Sequence, residues 1–164
     1  MDINENYRQG IFFGINAGVI TSSGLLAGLA QTTNNHLIII ISIISLAISD
    51  AVSEAYSLYL SKKAKDIEDK SKGPLYSALS LTLTKIIIVL SFLIPFIFSK
   101  SLKYYKNLIW PLFWSLFILI IIDYKVSKLR NESILKYIIS HIFLLFFVIF
   151  TTKFFGNMLQ NYIS

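Results

Sequence analysis

The sequence predicts an all-α integral membrane fold with five transmembrane helices, its N-terminus in the cytoplasm and its C-terminus on the opposite side. Three observations carry that expectation. Apolar residues arrive in five long blocks, the links between the blocks are short and charged, and 55% of the 164 residues are hydrophobic against 15% charged, at a mean hydropathy of +0.66. A soluble helix buries one stripe and shows polar residues elsewhere. A bilayer-spanning helix needs about 20 mostly apolar residues instead, and this chain is largely such blocks. No link is long enough for a second folded unit, so residues 1–164 read as a single transmembrane domain.

The first block spans about residues 10–30. The segment before it carries Asp2 and Glu5 ahead of Arg8, and no small-residue cleavage site follows, so the block is expected to stay as a helix. Gly10, Gly14 and Gly18 recur every fourth residue with Ser22 next, and Gly24 and Gly28 repeat the spacing. Such a stripe lets two helix backbones approach closely. His36, in the link that follows, reads as solvated.

The second block, about 37–60, holds Ser42, Ser45, Ser49, Ser53 and Ser57 at intervals of three or four, with Asp50 and Glu54 among them. At about 100° per residue these seven cover half the helix circumference. Carboxylates at membrane depth are expensive, and two at i,i+4 repel if both are ionised and unpaired. They need a cation, a proton or water. The third block, about 74–98, offers Lys85. Counted from the basic ends of their helices, Asp50 and Lys85 fall at matched depth, close to mid-membrane. Two readings stay open: a buried structural Asp50–Lys85 pair with Glu54 protonated or wet, or a cation or proton pathway through the same residues.

The fourth block spans about 108–124, with Asp123 and Lys125 expected at the interface as anchors. The fifth spans about 134–155 and contains His141, expected to be hydrogen-bonded in packing. Asp66, Glu68 and Asp69 interleave with lysines in the link after the second block and read as a solvated loop.

Orientation follows from the basic residues. Arg8, Lys62, Lys63, Lys65, Lys70, Lys72, Lys125, Lys128, Arg130 and Lys136 lie toward one side, which makes ten, against Lys100, Lys103, Lys106 and Lys153 on the other. The positive-inside rule places the richer side, with residues 61–73 and 125–133, in the cytoplasm. The formal charge of +6 thus sets topology, and no nucleic-acid partner is expected. With no Cys, thiolate catalysis and disulfides are excluded. No HExxH, CxxC or P-loop pattern occurs, so neither an ATP-driven pump nor an enzyme is expected.

Helix one, "GINAGVITSSGLLAGL", resembles the opening helix of the vacuolar iron transporter family, which has an N-D-G core and a second glycine cluster. "ISDAVSEAYSLYLSKKAKD" resembles that family's second helix, and "SFLIPFIF" its third, with a proline near the outer end. The resemblance covers residues 7–98. It implies a homodimer that moves Fe²⁺, sometimes Mn²⁺, out of the cytoplasm in exchange for protons. It places the protein in the cell membrane of a prokaryote, or in a vacuolar or other endomembrane of a eukaryote. The family's first-helix aspartate falls on Ala17, with Asn16 and Gly18 retained; its second-helix methionine falls on Asp50, and its glutamate matches Glu54. The acidic metal-binding extension between helices two and three is missing.

On this resemblance Asp50 and Glu54 are metal ligands or proton carriers, Asn16 and Thr21 neutral oxygen donors, and Lys85 a charge that exchanges partners. No resident cofactor is expected, the metal being substrate, and the glycine stripe of helix one is expected at the dimer interface. The rival expectation is a non-transporting membrane protein that keeps the fold around a buried Asp50–Lys85 pair.

Overall fold

The computed structural model describes residues 3–65, 71–94 and 109–163. They form α1 (Ile3–Thr32), α2 (His36–Lys65), α3 (Gly73–Ser91), α4 (Ile109–Arg130) and α5 (Ile134–Ile163). All five helices are long and apolar enough to cross a membrane. Asp66, Glu68, Asp69, Lys100, Lys103 and Lys106, and the expected end of the third helix, lie outside the described residues.

Four helices outrun the apolar blocks. α1 starts at Ile3 rather than Gly10, α2 continues to Lys65, α4 to Arg130 and α5 to Ile163. An apolar block marks hydrocarbon depth, whereas helical hydrogen bonding continues through polar residues that tolerate it. Glu5 in the first turn of α1, and Lys62, Lys63 and Lys65 in the last turn of α2, complement the helix dipoles.

α3 ends at Ser91, inside the expected 74–98 block, whose last residues lie outside the described residues. Its ladder tightens after Ser91 into i→i−3 bonds, Phe92 N–H to Val89 O and Leu93 N–H to Leu90 O. Two causes meet there. Pro95 has no N–H to offer the Ser91 carbonyl, and the Ser91 hydroxyl donates to Ile88 O while accepting the Trp114 indole N–H at 2.7 Å.

The connections have local causes as well. Asn35 Oδ1 accepts the Leu37 N–H at 2.9 Å and so caps α2. Pro74 opens α3, where a missing N–H is harmless. α4 ends at Asn131, whose φ of 54° is the left-handed conformation that Asn tolerates.

α1 is the hub and packs against each of the other four helices. Val19 and Leu26 of α1, Ile39, Ile43 and Ala47 of α2, Val89 of α3, and Leu119 and Ile122 of α4 form the buried core. The outside is apolar too: Ile44, Ile48 and Val52 on α2, and Phe143, Phe146, Phe147 and Phe150 on α5, stand exposed. A surface of that kind matches hydrocarbon.

The glycine stripe makes the close contact expected of it, but within the chain. A Cβ at Gly10 would overlap the Ser77 carbonyl and the Ser80 hydroxyl, and one at Gly14 would lie 2.8 Å from Leu81 O. Gly24 and Gly28 face Val148 and Thr152 of α5. The expectation that this stripe forms a homodimer interface is corrected: α3 and α5 already occupy it. At the same end of the bundle as the N-terminus, Lys62 Nζ donates to Asn6 Oδ1 at 2.6 Å and to Ser77 Oγ, and Ser77 donates to Asn6 O at 2.9 Å. This knot fixes α1, α2 and α3 in register.

Candidate functional site

The register of the helices brings a polar side chain from every one of them to one depth. α1 and α3 run parallel, Gly10 beside Leu81, Gly14 beside Lys85 and Gly18 beside Ile88, so Lys85 lies at the level of Asn16. α2 runs antiparallel to α3 and sets Asp50 and Glu54 directly on Lys85. Ser23 bonds Ser115 at 2.6 Å. Seven residues back along α1 reaches Asn16, and seven onward along antiparallel α4 reaches Ile122, the neighbour of Asp123. α5 runs parallel to α1 with Val148 beside Gly24. Eight residues back along both reaches Asn16 and Ser140, the neighbour of His141. The layer therefore holds Asn16, Asp50, Glu54, Lys85, Asp123 and His141.

Its two halves lie on opposite sides of α1. In the first half, Lys85 is fully buried, and its ammonium nitrogen is 2.6 Å from Asp50 Oδ2 and 2.6 Å from Glu54 Oε2. The two carboxylate side chains are each 26% exposed. The matched depth expected of Asp50 and Lys85 holds, and the pair is in fact a trio, since Glu54 joins it. α2 reaches α3 through its small buried residues Ala47, Ala51 and Ala55. The carboxylates flank that alanine row at helical spacing. The serines Ser45, Ser49, Ser53 and Ser57 turn away and stand exposed; Ser49 and Ser57 satisfy their hydroxyls on the carbonyls of Ser45 and Ser53, one turn back.

In the second half, His141 Nδ1 lies 2.7 Å from Asp123 Oδ1. Asp123 is 1% exposed, which corrects its expected place at the interface. The fourth apolar block stops at Tyr124 and makes Asp123 look terminal, but α4 continues to Arg130 and carries the carboxyl two turns inward. A signal was present: Asp123 precedes Asn131, and His141 follows Ser133, by the same number of residues. Equal steps from a tight helical hairpin give equal depth. His141 is hydrogen-bonded, as expected, but to a buried acid rather than in neutral packing.

Asn16 and Thr21 do not join the carboxylates. Asn16 lies roughly 160–200° around α1 from Gly14 and Gly18 and shares the face of Ser23, toward α4. Its Oδ1 is buried and accepts no hydrogen bond from the described residues. Thr21 lies on the glycine face more than a turn beyond Lys85, and its hydroxyl donates to Ala17 O at 2.8 Å. Among the described residues no three His, Cys, Asp or Glu side chains converge as metal ligands.

Three carboxylates against one ammonium leave the layer at a formal charge of −2 with a neutral imidazole, and −1 with an imidazolium. Buried charge of one sign is unstable in hydrocarbon without protons or a counter-ion. The arrangement can therefore take up protons, or exchange the lysine ammonium for another cation. No family model, curated protein or solved structure matches this chain.

Proposed function

We propose that this chain is a membrane transporter for a divalent cation, which takes the position the Lys85 ammonium holds between Asp50 and Glu54. The observation that carries the reading is the asymmetry of that trio: the ammonium is sealed, whereas both carboxylates keep a quarter of their surface open. An incoming cation meets the oxygens from the side the lysine does not occupy. Lys85 then acts as a tethered substitute that holds the site when it is empty. Carboxylate oxygen suits Mn²⁺, and Fe²⁺ next, better than soft metals. No catalytic step is assigned.

The basic asymmetry supports a cytoplasmic N-terminus and a C-terminus on the far side, hence export from the cytoplasm. A homodimer is part of the proposal. With the glycine stripe occupied, the exposed row Ser45, Ser49, Ser53 and Ser57 is the small-residue face left for a second copy.

A second reading has its own observation. Lys85 has both charges satisfied at 2.6 Å, which also suits a static scaffold. Proteoliposomes offered Fe²⁺, Mn²⁺, Co²⁺ and Zn²⁺ in parallel separate the two. The transporter reading expects saturable Mn²⁺ or Fe²⁺ uptake that responds to a pH gradient. Absence of flux for all four metals in a well-folded preparation supports the scaffold.

A further inference from the structure

We propose that Asp123 and His141 form an intramembrane proton-binding site, separate from the Asp50–Glu54–Lys85 trio and reached from the end of the bundle where the N-terminus lies. The site goes beyond the cation reading and does not depend on it.

The pair is built for one proton. The carboxyl of Asp123 is 1% exposed, and its Oδ1 holds His141 Nδ1 at 2.7 Å. In the tautomer that donates Nδ1–H to Asp123, Nε2 is the nitrogen left to take up a proton. The other carboxylate oxygen, Oδ2, is buried and receives no hydrogen bond from the described residues, and Asn16 Oδ1, at the same depth on α1, is in the same state. A sealed carboxylate with half its acceptor capacity unmet gains most from a full positive charge on its partner. The reaction is the uptake of one proton at Nε2, which converts Asp123 carboxylate–imidazole into Asp123 carboxylate–imidazolium. Nothing else is bonded or released, and the layer moves from −2 to −1.

Access comes from a second, independent feature. A cavity of about 650 Å³ opens between α1, α4 and α5, with Glu5, Arg8 and Arg130 among its lining and Phe12, Val126 and Tyr137 lying deep along their helices, nearest the polar layer. Each deep residue stands one helical turn from a member of the polar layer: Phe12 before Asn16, Val126 beyond Asp123, Tyr137 before His141. The cavity therefore ends about 5 Å above the pair. Its charged rim belongs at the water boundary, and His141 keeps 16% of its side chain exposed, whereas Asp123 is sealed.

The titratable and charged groups facing His141 are few. Asp123 on α4 is in contact; Arg130 on α4, Glu5 and Arg8 on α1, and Tyr137 on its own helix line the cavity. α1 offers only the uncharged Asn16 at that depth, and Lys85 lies across α1 on α3. Among the described residues, Asp123 is thus the charged group in direct contact with His141.

The chain has two histidines, so His36→Gln leaves His141 as the sole imidazole, and ring ¹⁵N NMR in nanodiscs reads it alone. Followed from about pH 4 to about pH 10, the ring should take up one proton, at Nε2, with the Nδ1–H tautomer in the neutral form. Asp123→Asn should lower its proton affinity at least tenfold, and Asp123→Glu should restore most of it. Phe12→Cys carrying a bulky maleimide should slow exchange of the Nε2 proton with water at least tenfold. A His141 that does not titrate across that range, or that titrates identically with Asn or Glu at position 123, overturns the site as a static staple. Unslowed exchange behind the plugged cavity overturns the route. Should the Asn variant fail to fold, the wild-type titration and the Glu variant decide alone. None of these readings uses metal flux.

Discussion

The two halves of the polar layer solve one problem by different chemistry. Around Lys85 one ammonium holds two carboxylates that keep partial exposure; around His141 an imidazole holds one carboxylate that is sealed. A lysine ammonium surrenders its charge only under strong desolvation, whereas an imidazole gains or loses a proton near neutral pH. The first half therefore suits exchange of one cation for another, and the second suits loading and unloading of a proton. On the proposed transport reading, their common depth lets each feel the charge of the other across α1 and so links proton movement to cation movement.

Breaking the first half should have the largest effect. Lys85→Ala strands two partly buried carboxylates among apolar helices. Removing one partner of a buried ion pair costs roughly 3–5 kcal/mol, so the thermal midpoint should fall steeply. Adding Asp50→Asn and Glu54→Gln to that variant removes the stranded charge and should recover most of the loss. A single Lys85→Ala that melts like wild type would mean that the carboxylates are protonated or hydrated and that the ion pairs carry no weight.

The two halves also differ in how they grip α1, and glycine substitution sharpens that contrast. At Gly10 an added methyl meets the Ser77 backbone carbonyl, which cannot move without shifting α3. Overpacking of this kind costs about 1–3 kcal/mol. At Gly28 the nearest atom is Thr152 Cγ2 at 3.1 Å, a side-chain methyl that can give way. Gly10→Ala should destabilise clearly and Gly28→Ala little; equal melting temperatures would deny that the α1–α3 contact is the tighter one.

The sequence disclosed these halves unequally. Five helices long and apolar enough to cross a membrane were legible because block length can be compared directly with bilayer thickness. Asp50, Glu54 and Lys85 were legible because charges inside apolar runs stand out, and helix counting matched their depths. Asp123 was not, because hydropathy ends the fourth block beside it and cannot register helix that continues through polar residues. Nor can helical spacing tell which face of α2 turns inward: the polar half divides, its carboxylate edge toward α3 and its serine row outward, because alanine rather than serine lets the helices close. The destination of the glycine stripe was also hidden, since close approach is encoded in the stripe but the identity of the partner helix is not.

The smallest effect belongs to the turn that aligns the second half. Glu132 accepts hydrogen bonds from Lys136 at 3.1 Å and Tyr137 at 3.0 Å, and these contacts hold its carboxyl below the usual carboxylate range. A group whose folded value is depressed stabilises above its unfolded value and loses that contribution as pH falls through the folded one. Glu132→Gln should lower the melting temperature slightly at neutral pH and not at all once the pH is well below the carboxylate range. A deficit that persists in acid would assign the effect to shape rather than charge.

Transport through the Lys85 position is tested by metal flux in the Asp50→Asn, Lys85→Gln double variant, with thermal stability recorded on the same preparation. Neutralising both partners leaves no stranded lysine and strands Glu54 alone, so the variant should melt above Lys85→Ala, which strands two carboxylates, and below wild type. Reconstituted in proteoliposomes beside wild type, it should take up no Mn²⁺ or Fe²⁺, because an oxygen that receives the cation has lost its charge. Wild-type-like flux from a well-folded double variant would contradict the assignment of Asp50 as a ligand and, with it, transport through the Lys85 position.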